Sequence, residues 1–387
     1  MRKIYLDHAG ATYLDLQVKR VILSQLGNFG NASSVHGAGR LAKKSIDASR
    51  KEIASILNSK PEEIVFTGSG TESDNLAIFG VARANKKLGK HIIATKIEHH
   101  AVLRACQYLE KNEGFKVSYL DVGDNGIVDP VAVAKALRPD TTLVSIMYAN
   151  NEIGTIQPIS RISKTIREFR RGRLNQNFPF LHTDACQAAG ALNLNVQELG
   201  VDLLTLNGSK IYGPKGAGLL YARKGVAISP VIVGGSQEGG LRAGTENPAL
   251  IAGLAKALEV ADRIKGKEGK RLAKLRDYTI ESILSHIPGT HLNGDSNFRL
   301  PNNVNISFAS IDGEMLMLAL DQEGIQVSTG SACTTGTTEA SHVIKALGLG
   351  EDMDKGNLRI TLGRKTTKKD IEDILKTLPK IIGRLRR

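Results

Sequence analysis

Short apolar runs alternate along this chain with amphipathic stretches, and most of the runs stop at a cluster of polar and glycine residues. IYLD (4–7), EIVFT (63–67), HIIAT (91–95), KVSYLDV (116–122), TLVSIMYAN (142–150), FLHTDACQAAG (180–190) and VDLLTLN (201–207) predict strands. Leu41, Ile46, Ile53, Ile56 and Leu57 share one face at helical spacing, as do Ile251, Leu254, Leu258 and Ala261 within a helix expected over 250–264. Strands alternating with helices predict an α/β fold with a mostly parallel sheet, covered on both faces, whose ligand groups gather at the carboxyl ends of the strands. GKEGK (266–270) loosens the helical pattern, so a domain boundary is expected near it. Beyond it the pattern predicts a smaller α+β unit: helix, strand NVNISF, helix, strand IQVST, loop, helix, strand NLRITLG and a helix from Thr367.

The strand ends carry the candidate chemistry. After 201–207 a polar, glycine-rich turn presents Lys210, and partial desolvation there disfavours the ammonium and favours an amine able to bond a carbonyl. Taken singly, a solvated loop lysine is the commoner case. After 63–67 comes TGSGTESDN, where Thr71 and Asp74 form a capping-box pattern. A helix N-terminus is expected there, with Gly68 and Gly70 admitting close backbone approach and with its NH groups, dipole and the Thr71 hydroxyl seating a phosphate. Thr71, His99, Asn151, Asp184, Gln187 and Lys210 all fall at or just past strand ends.

Composition narrows the field. No run of about 18 apolar residues occurs and MRKIYLDHAG lacks an apolar core, so neither membrane span nor signal peptide is expected, and the reading is cytoplasmic. Three cysteines at irregular spacing fit neither a disulfide framework nor a CxxC metal site. A net charge of +13 favours anionic partners, but with no tryptophan and 4 % aromatics no nucleic-acid stacking platform is indicated. RISKTIREFRRGR (161–173) reads as a solvated basic helix face, or secondarily as a dock for an acidic partner. Cys333, in the small, polar VSTGSACTTGTTEASH, reads as a loop thiol, whereas Cys106, among apolar neighbours, reads as buried.

TGSGTESDN, EHHAV, NNEIG, DACQ, GSKIYGPKG, RAGTEN and STGSACTTG, in this order and at these separations, resemble the cysteine desulfurases of the NifS/IscS type, over essentially the whole chain. The resemblance implies a fold type I pyridoxal phosphate enzyme and a homodimer. It implies a large domain (14–262) with a mostly parallel seven-stranded sheet, and a small α+β domain (1–13 and 263–387) carrying the cysteine loop. It implies that Lys210 binds the cofactor covalently, that Asp184 pairs with the pyridine nitrogen, that Gln187 donates to the phenolate oxygen and that His99 lies over the ring and handles protons. Gly70, Thr71, Asn207 and Ser209 would hold the phosphate, with Thr245 reaching in from the other subunit, and Asn151 and Arg359 would grip the carboxylate of L-cysteine. Cys333 would attack the substrate sulfur, giving alanine and an enzyme persulfide for an iron–sulfur scaffold or another acceptor, and would transiently ligate a cluster. Read singly, His99 as a strand-end polar residue, Asp184 and Gln187 as helix caps and Arg359 in an ion pair are the plainer roles. DHAGAT, NASS, Ser209 and Cys186 depart from the family's DNAATT, NPSS, histidine and hydroxyl residue. The alternatives are a selenocysteine lyase or another fold type I enzyme, and a non-catalytic cofactor-binding platform for partners.

Overall fold

The computed structural model describes residues 3–172, 178–330 and 340–386. Its largest sheet has seven strands in the spatial order Ile64–Thr67, Gly218–Ala222, Leu203–Asn207, Phe180–Asp184, Thr141–Ser145, His91–Thr95 and Lys116–Leu120. Gly218–Ala222 runs antiparallel to both its neighbours and the other pairings are parallel, so the expected mostly parallel α/β sheet is present. Four strands, Ile64–Thr67, His91–Thr95, Thr141–Ser145 and Phe180–Asp184, are buried at every position. That is why they read as continuous apolar runs rather than as alternation. Two runs are shorter as strands than their apolar patterns: ladder pairing stops at Ser145 and at Asp184, where the chain turns away at the sheet's carboxyl edge.

A second, antiparallel sheet orders Asn357–Thr361, Asn303–Phe308 and Thr290–Leu292, and Ile4–Tyr5 pairs in parallel with Ile325–Gln326. Thr290–Leu292 is a strand the apolar pattern did not announce, because none of its three residues is buried. Ile4, Leu6, Leu272, Ile306, Leu358 and Ile374 belong to one buried cluster, while Ile146, Leu204, Leu254, Leu258 and Ala261 belong to another beneath the large sheet.

One helix, Pro248–His286, joins the two clusters and runs unbroken through Gly266–Lys270, against the expected interruption. Each glycine there costs the helix about 1 kcal/mol relative to alanine. Leu258 and Ala261 before the run and Leu272 and Ile283 after it are anchored in the two cores, and their burial at about 1.5–3 kcal/mol per large side chain outweighs that cost. The basic helix Ile159–Arg171 also departs from expectation, since Arg170 is buried. Asp202 is a carboxylate with no exposed surface; Arg170 and Arg223 both pair with it, and Arg170 Nε also donates to the Pro179 carbonyl at 3.0 Å. Among the described residues no helix is long and apolar enough to cross a membrane.

Burial also sets an acid limit on stability. His182, wholly buried within the middle strand of the large sheet, and His8 are both held neutral by burial, with folded values of about 4 against an ordinary 6.5. Because the unfolded chain takes up these protons first, the stabilisation is complete above about pH 6.5 and is lost as pH falls toward 4. For His182 the loss at pH 5 is roughly 2 kcal/mol. Thermal melts at pH 7 and pH 5 should show a lower midpoint at pH 5, and His182→Asn should shrink that difference.

Candidate functional site

The strand ends converge on one cavity of about 250 Å³, near the lower end of the ~300–1,000 Å³ usual for small-molecule sites. Its lining includes Gly70, Thr71, His99, Asn151, Asp184, Gln187, Asn207, Lys210 and Arg359. Nine residues expected to act together therefore share one wall, although their sequence positions run from 70 to 359. Ser209 and Thr245 do not line this cavity in their own chain: the Ser209 hydroxyl donates to Asn207 Oδ1 at 3.2 Å, and Thr245 is exposed. Cys333, expected both as nucleophile and as cluster ligand, lies outside the described residues. Among the described residues no group of three His, Cys, Asp or Glu side chains is placed to hold a metal ion.

Lys210 ends a single 3-10 turn, Gly208–Lys210, that follows the strand Leu203–Asn207 directly. Its Nζ donates to the carbonyls of Ala9 (2.8 Å) and Gly10 (2.6 Å), so the amine is held inside the cavity. Burial lowers its pKa; Arg359 acts the same way, while Cys186, Asp7 and Asp184 oppose it. The carbonyls come from a tight turn at Asp7–Gly10, in which Gly10 N donates to Asp7 O at 3.1 Å. A side chain at position 10 would place its Cβ 2.3 Å from Asp7 Oδ2, so the Asp7 carboxylate would have to shift to admit it.

The phosphate-seat helix is Gly70–Asn85, but its cap differs from the expected one. Ser69 Oγ accepts from Glu72 N at 3.1 Å and Glu72 Oε2 accepts from Gly68 N at 2.9 Å, so capping falls two residues earlier than the Thr71–Asp74 pattern. Thr71 is thereby exposed on the first turn, and Asp74 is buried one turn further in, on the cavity wall. At Gly70 a Cβ would lie 2.9 Å from Cys186 Sγ and 3.3 Å from Asn207 Cβ, which explains the glycine beside the cavity.

Asp184 Oδ1 accepts from Cys186 N at 2.9 Å, an Asx turn that points the carboxylate along the cavity floor. Beside it, Asp74 is fully buried, and its pKa is raised by burial and then by the charge of Asp184. Asp74 Oδ1 has no hydrogen-bond partner. Burial and the neighbouring carboxylate therefore both favour the protonated form of Asp74. Burial pushes the Cys186 thiol up as well, consistent with a structural and unreactive sulfur, and Cys106 is likewise buried. His99 caps the helix His100–Glu113: its Nδ1 accepts from Ala101 N at 3.1 Å, so the neutral ring carries its proton on Nε2. Burial lowers the His99 pKa and keeps that neutral form.

Arg359 is 2 % exposed; one arm donates to Asn151 O at 3.1 Å and the other pairs with Asp7 Oδ1 at 2.8 Å, leaving Nε buried without a partner. Gln187 Nε2 donates to Ala9 O at 3.0 Å. Asp7, Asp74 and the carbonyls of Ala9 and Gly10 were not singled out from the sequence. Asp7 ends an apolar run, the one signal that placed it at a strand end, whereas Asp74 was hidden by its match to a capping pattern.

Residues 4–374 match the family described as aminotransferase class-V. The chain is 49 % identical to the cysteine desulfurase IscS of Dictyoglomus turgidum over 386 residues, covering 100 % of this chain and 96 % of that protein. It is 46 % identical to the cysteine desulfurase IscS of Methanosarcina thermophila, with 100 % and 93 % covered. Among solved structures, a NifS-like protein superposes with a TM-score of 0.91 at 35 % identity, over 99 % of this chain and 100 % of that one.

Proposed function

Since this chain belongs to the aminotransferase class-V family, we propose that its strand-end cavity takes pyridoxal phosphate, bonded to Lys210, and L-cysteine. The chain is a cysteine desulfurase, as its full-length likeness to several such enzymes supports. The observation that carries the site assignment is the meeting in one cavity of a desolvated lysine amine, the side chain of Asp184, a helix N-terminus and a guanidinium.

The donor set fits the group. Gly70 and Thr71 at the helix end, with Asn207, suit a phosphate; Lys210 suits an aldehyde; Asp184 suits a protonated ring nitrogen; Gln187 suits a phenolate oxygen. Ser209 and the partner subunit's Thr245 complete the proposed phosphate contacts. The bound group supplies an aromatic ring that delocalises carbanion charge. The protein does the rest. Arg359 and Asn151 orient the substrate carboxylate, and its approach competes with Asp7 for one arm of the guanidinium. Lys210 Nζ, biased toward the free amine, would take the α-proton, and His99, which lines the same cavity, would hold a proton on Nε2. The Cys333 thiolate attacks the substrate sulfur, forming an S–S bond as the C–S bond breaks. The electron pair goes to the carbon, which leaves as alanine after protonation.

The division proposed is a large domain, 14–262, and a small one, 1–13 and 263–387; the two buried clusters support it. A homodimer is proposed as the working unit, in line with exposed Ile232 and Val233 on the segment bridged to Arg242, near Thr245. The persulfide sulfur is proposed to pass, in the cytoplasm, to an iron–sulfur scaffold or a similar acceptor protein.

With pyridoxal phosphate and a thiol reductant, L-cysteine should yield equal amounts of alanine and sulfide; failure to form alanine would refute the reading. Asp184→Asn keeps the turn acceptor but removes the charge, and should lower kcat by roughly 100-fold or more, an effect of the size seen when one preorganised electrostatic group is lost.

A further inference from the structure

Behind Lys210 lies a second, smaller cavity of about 60 Å³, and Lys210 and Gln187 line both this space and the larger one. The two side chains therefore form a partition between them. His8 and Thr12 line the smaller cavity too, as do the half-buried Glu268 and Arg364, so one part of its wall reaches solvent. Its volume exceeds the roughly 10–15 Å³ that one water needs by the same measure.

His8 gives this space a polar demand. The residue is 5 % exposed, its ring packs against Tyr5 at 4.9 Å and Tyr212 at 6.0 Å between centroids, and its Nδ1 is buried without a hydrogen-bond partner. Leaving such a group unpaired is unfavourable, and a bound water removes the penalty. Lys210 can meet the same water. As an ammonium it has three N–H bonds, and the carbonyls of Ala9 and Gly10 accept two of them.

We propose that the smaller cavity holds ordered water, anchored on His8 Nδ1 and in contact with Lys210 Nζ, and that this water is the route by which the amine exchanges protons with solvent during turnover. This rests on the assignment of Lys210 as the group that takes the α-proton of L-cysteine. With cofactor and substrate filling the larger cavity, the smaller one is the side of the amine that water reaches. Lys210 gains one proton from Cα, whose electron pair stays with the carbon, and gives one N–H proton to the water, which hands one on toward solvent past Glu268 and Arg364. The reverse transfer supplies a solvent proton for alanine.

The measurement is the isotope content of alanine at early conversion. Wild-type holoenzyme turning over L-cysteine in D2O should give alanine with deuterium at Cα, because the amine's protons are replaced between removal and return. His8→Phe keeps a ring but offers water no partner, and should raise the protium retained at Cα at least about threefold, as expected when a proton-transfer route is lost. Glu268→Leu, at the half-buried wall, changes neither His8 nor Lys210 and should act in the same direction. His8→Asn restores a polar atom and should return retention to the wild-type level. Full protium retention by wild type, unchanged retention in His8→Phe or Glu268→Leu, or no recovery in His8→Asn would each overturn the proposal. So would a crystal structure of the holoenzyme with no ordered water within hydrogen-bond distance of His8 Nδ1. Lys210→Ala, assayed alongside, keeps the two readings apart. If that variant still removes the α-proton, the assignment of the base fails; if it does not, and His8→Phe retains no more protium than wild type, the water route alone fails.

Discussion

Lys210→Ala abolishes covalent cofactor attachment and lowers alanine formation from L-cysteine by at least about 10³-fold, within the range that loss of a positioned general base produces. The size of the effect follows from the place of the amine. Lys210 Nζ is the basic group held within the cavity by two carbonyls, and burial biases it toward the form that both bonds an aldehyde and accepts a proton. Without it the Gly10 carbonyl loses this donor, while Ala9 O keeps its hydrogen bond from Gln187 Nε2. The measurement is the visible absorbance of the protein after gel filtration, together with alanine yield. Absorbance that survives both gel filtration and denaturation in Lys210→Ala would place the anchor on another residue.

Cys333→Ser gives the second large effect, of a different kind. The cofactor absorbance should remain at the wild-type level while persulfide formation and alanine release fall below about a thousandth, because a hydroxyl is not appreciably ionised near neutral pH and is a poor nucleophile toward sulfur. The other two thiols cannot substitute, since Cys106 and Cys186 are buried. Mass spectrometry of the protein after one turnover checks this directly: a sulfur adduct of one atom on wild type and none on the variant. An adduct on Cys186 instead would overturn the assignment.

These two variants separate cofactor chemistry from sulfur chemistry, and the same separation runs through what could be read from the residues. Strand ends were legible because buried parallel strands are continuous apolar runs, and a run that stops at a polar cluster marks the edge of the sheet. That is how Asp184, Asn151 and Lys210 were found together. Arg170 was misread because a helix of alternating basic residues resembles a solvated face until the buried carboxylate of Asp202 is known to lie against it. Gly266–Lys270 reads as a break because local propensity carries no trace of the two cores that hold the helix at either end. The cap was placed at Thr71 rather than Ser69 because both start a plausible pattern, and only the burial of Asp74 against Asp184 removes it from a capping role.

Most of the order of elements, the mostly parallel character of the sheet and several of the groups at its carboxyl edge were determined by the residues alone, since hydrophobic period and turn chemistry are local properties, whereas strands Gly218–Ala222 and Thr290–Leu292 were not. Tertiary structure decided which distant groups meet. Asp7 and Arg359, separated by 352 positions, form an ion pair because the first strand and the last sheet belong to one buried cluster, and Glu152 meets Ser341, 189 positions away, on a turn clamped by Asn303 and Asn305. Such meetings depend on how whole layers pack, and no window of sequence contains both partners.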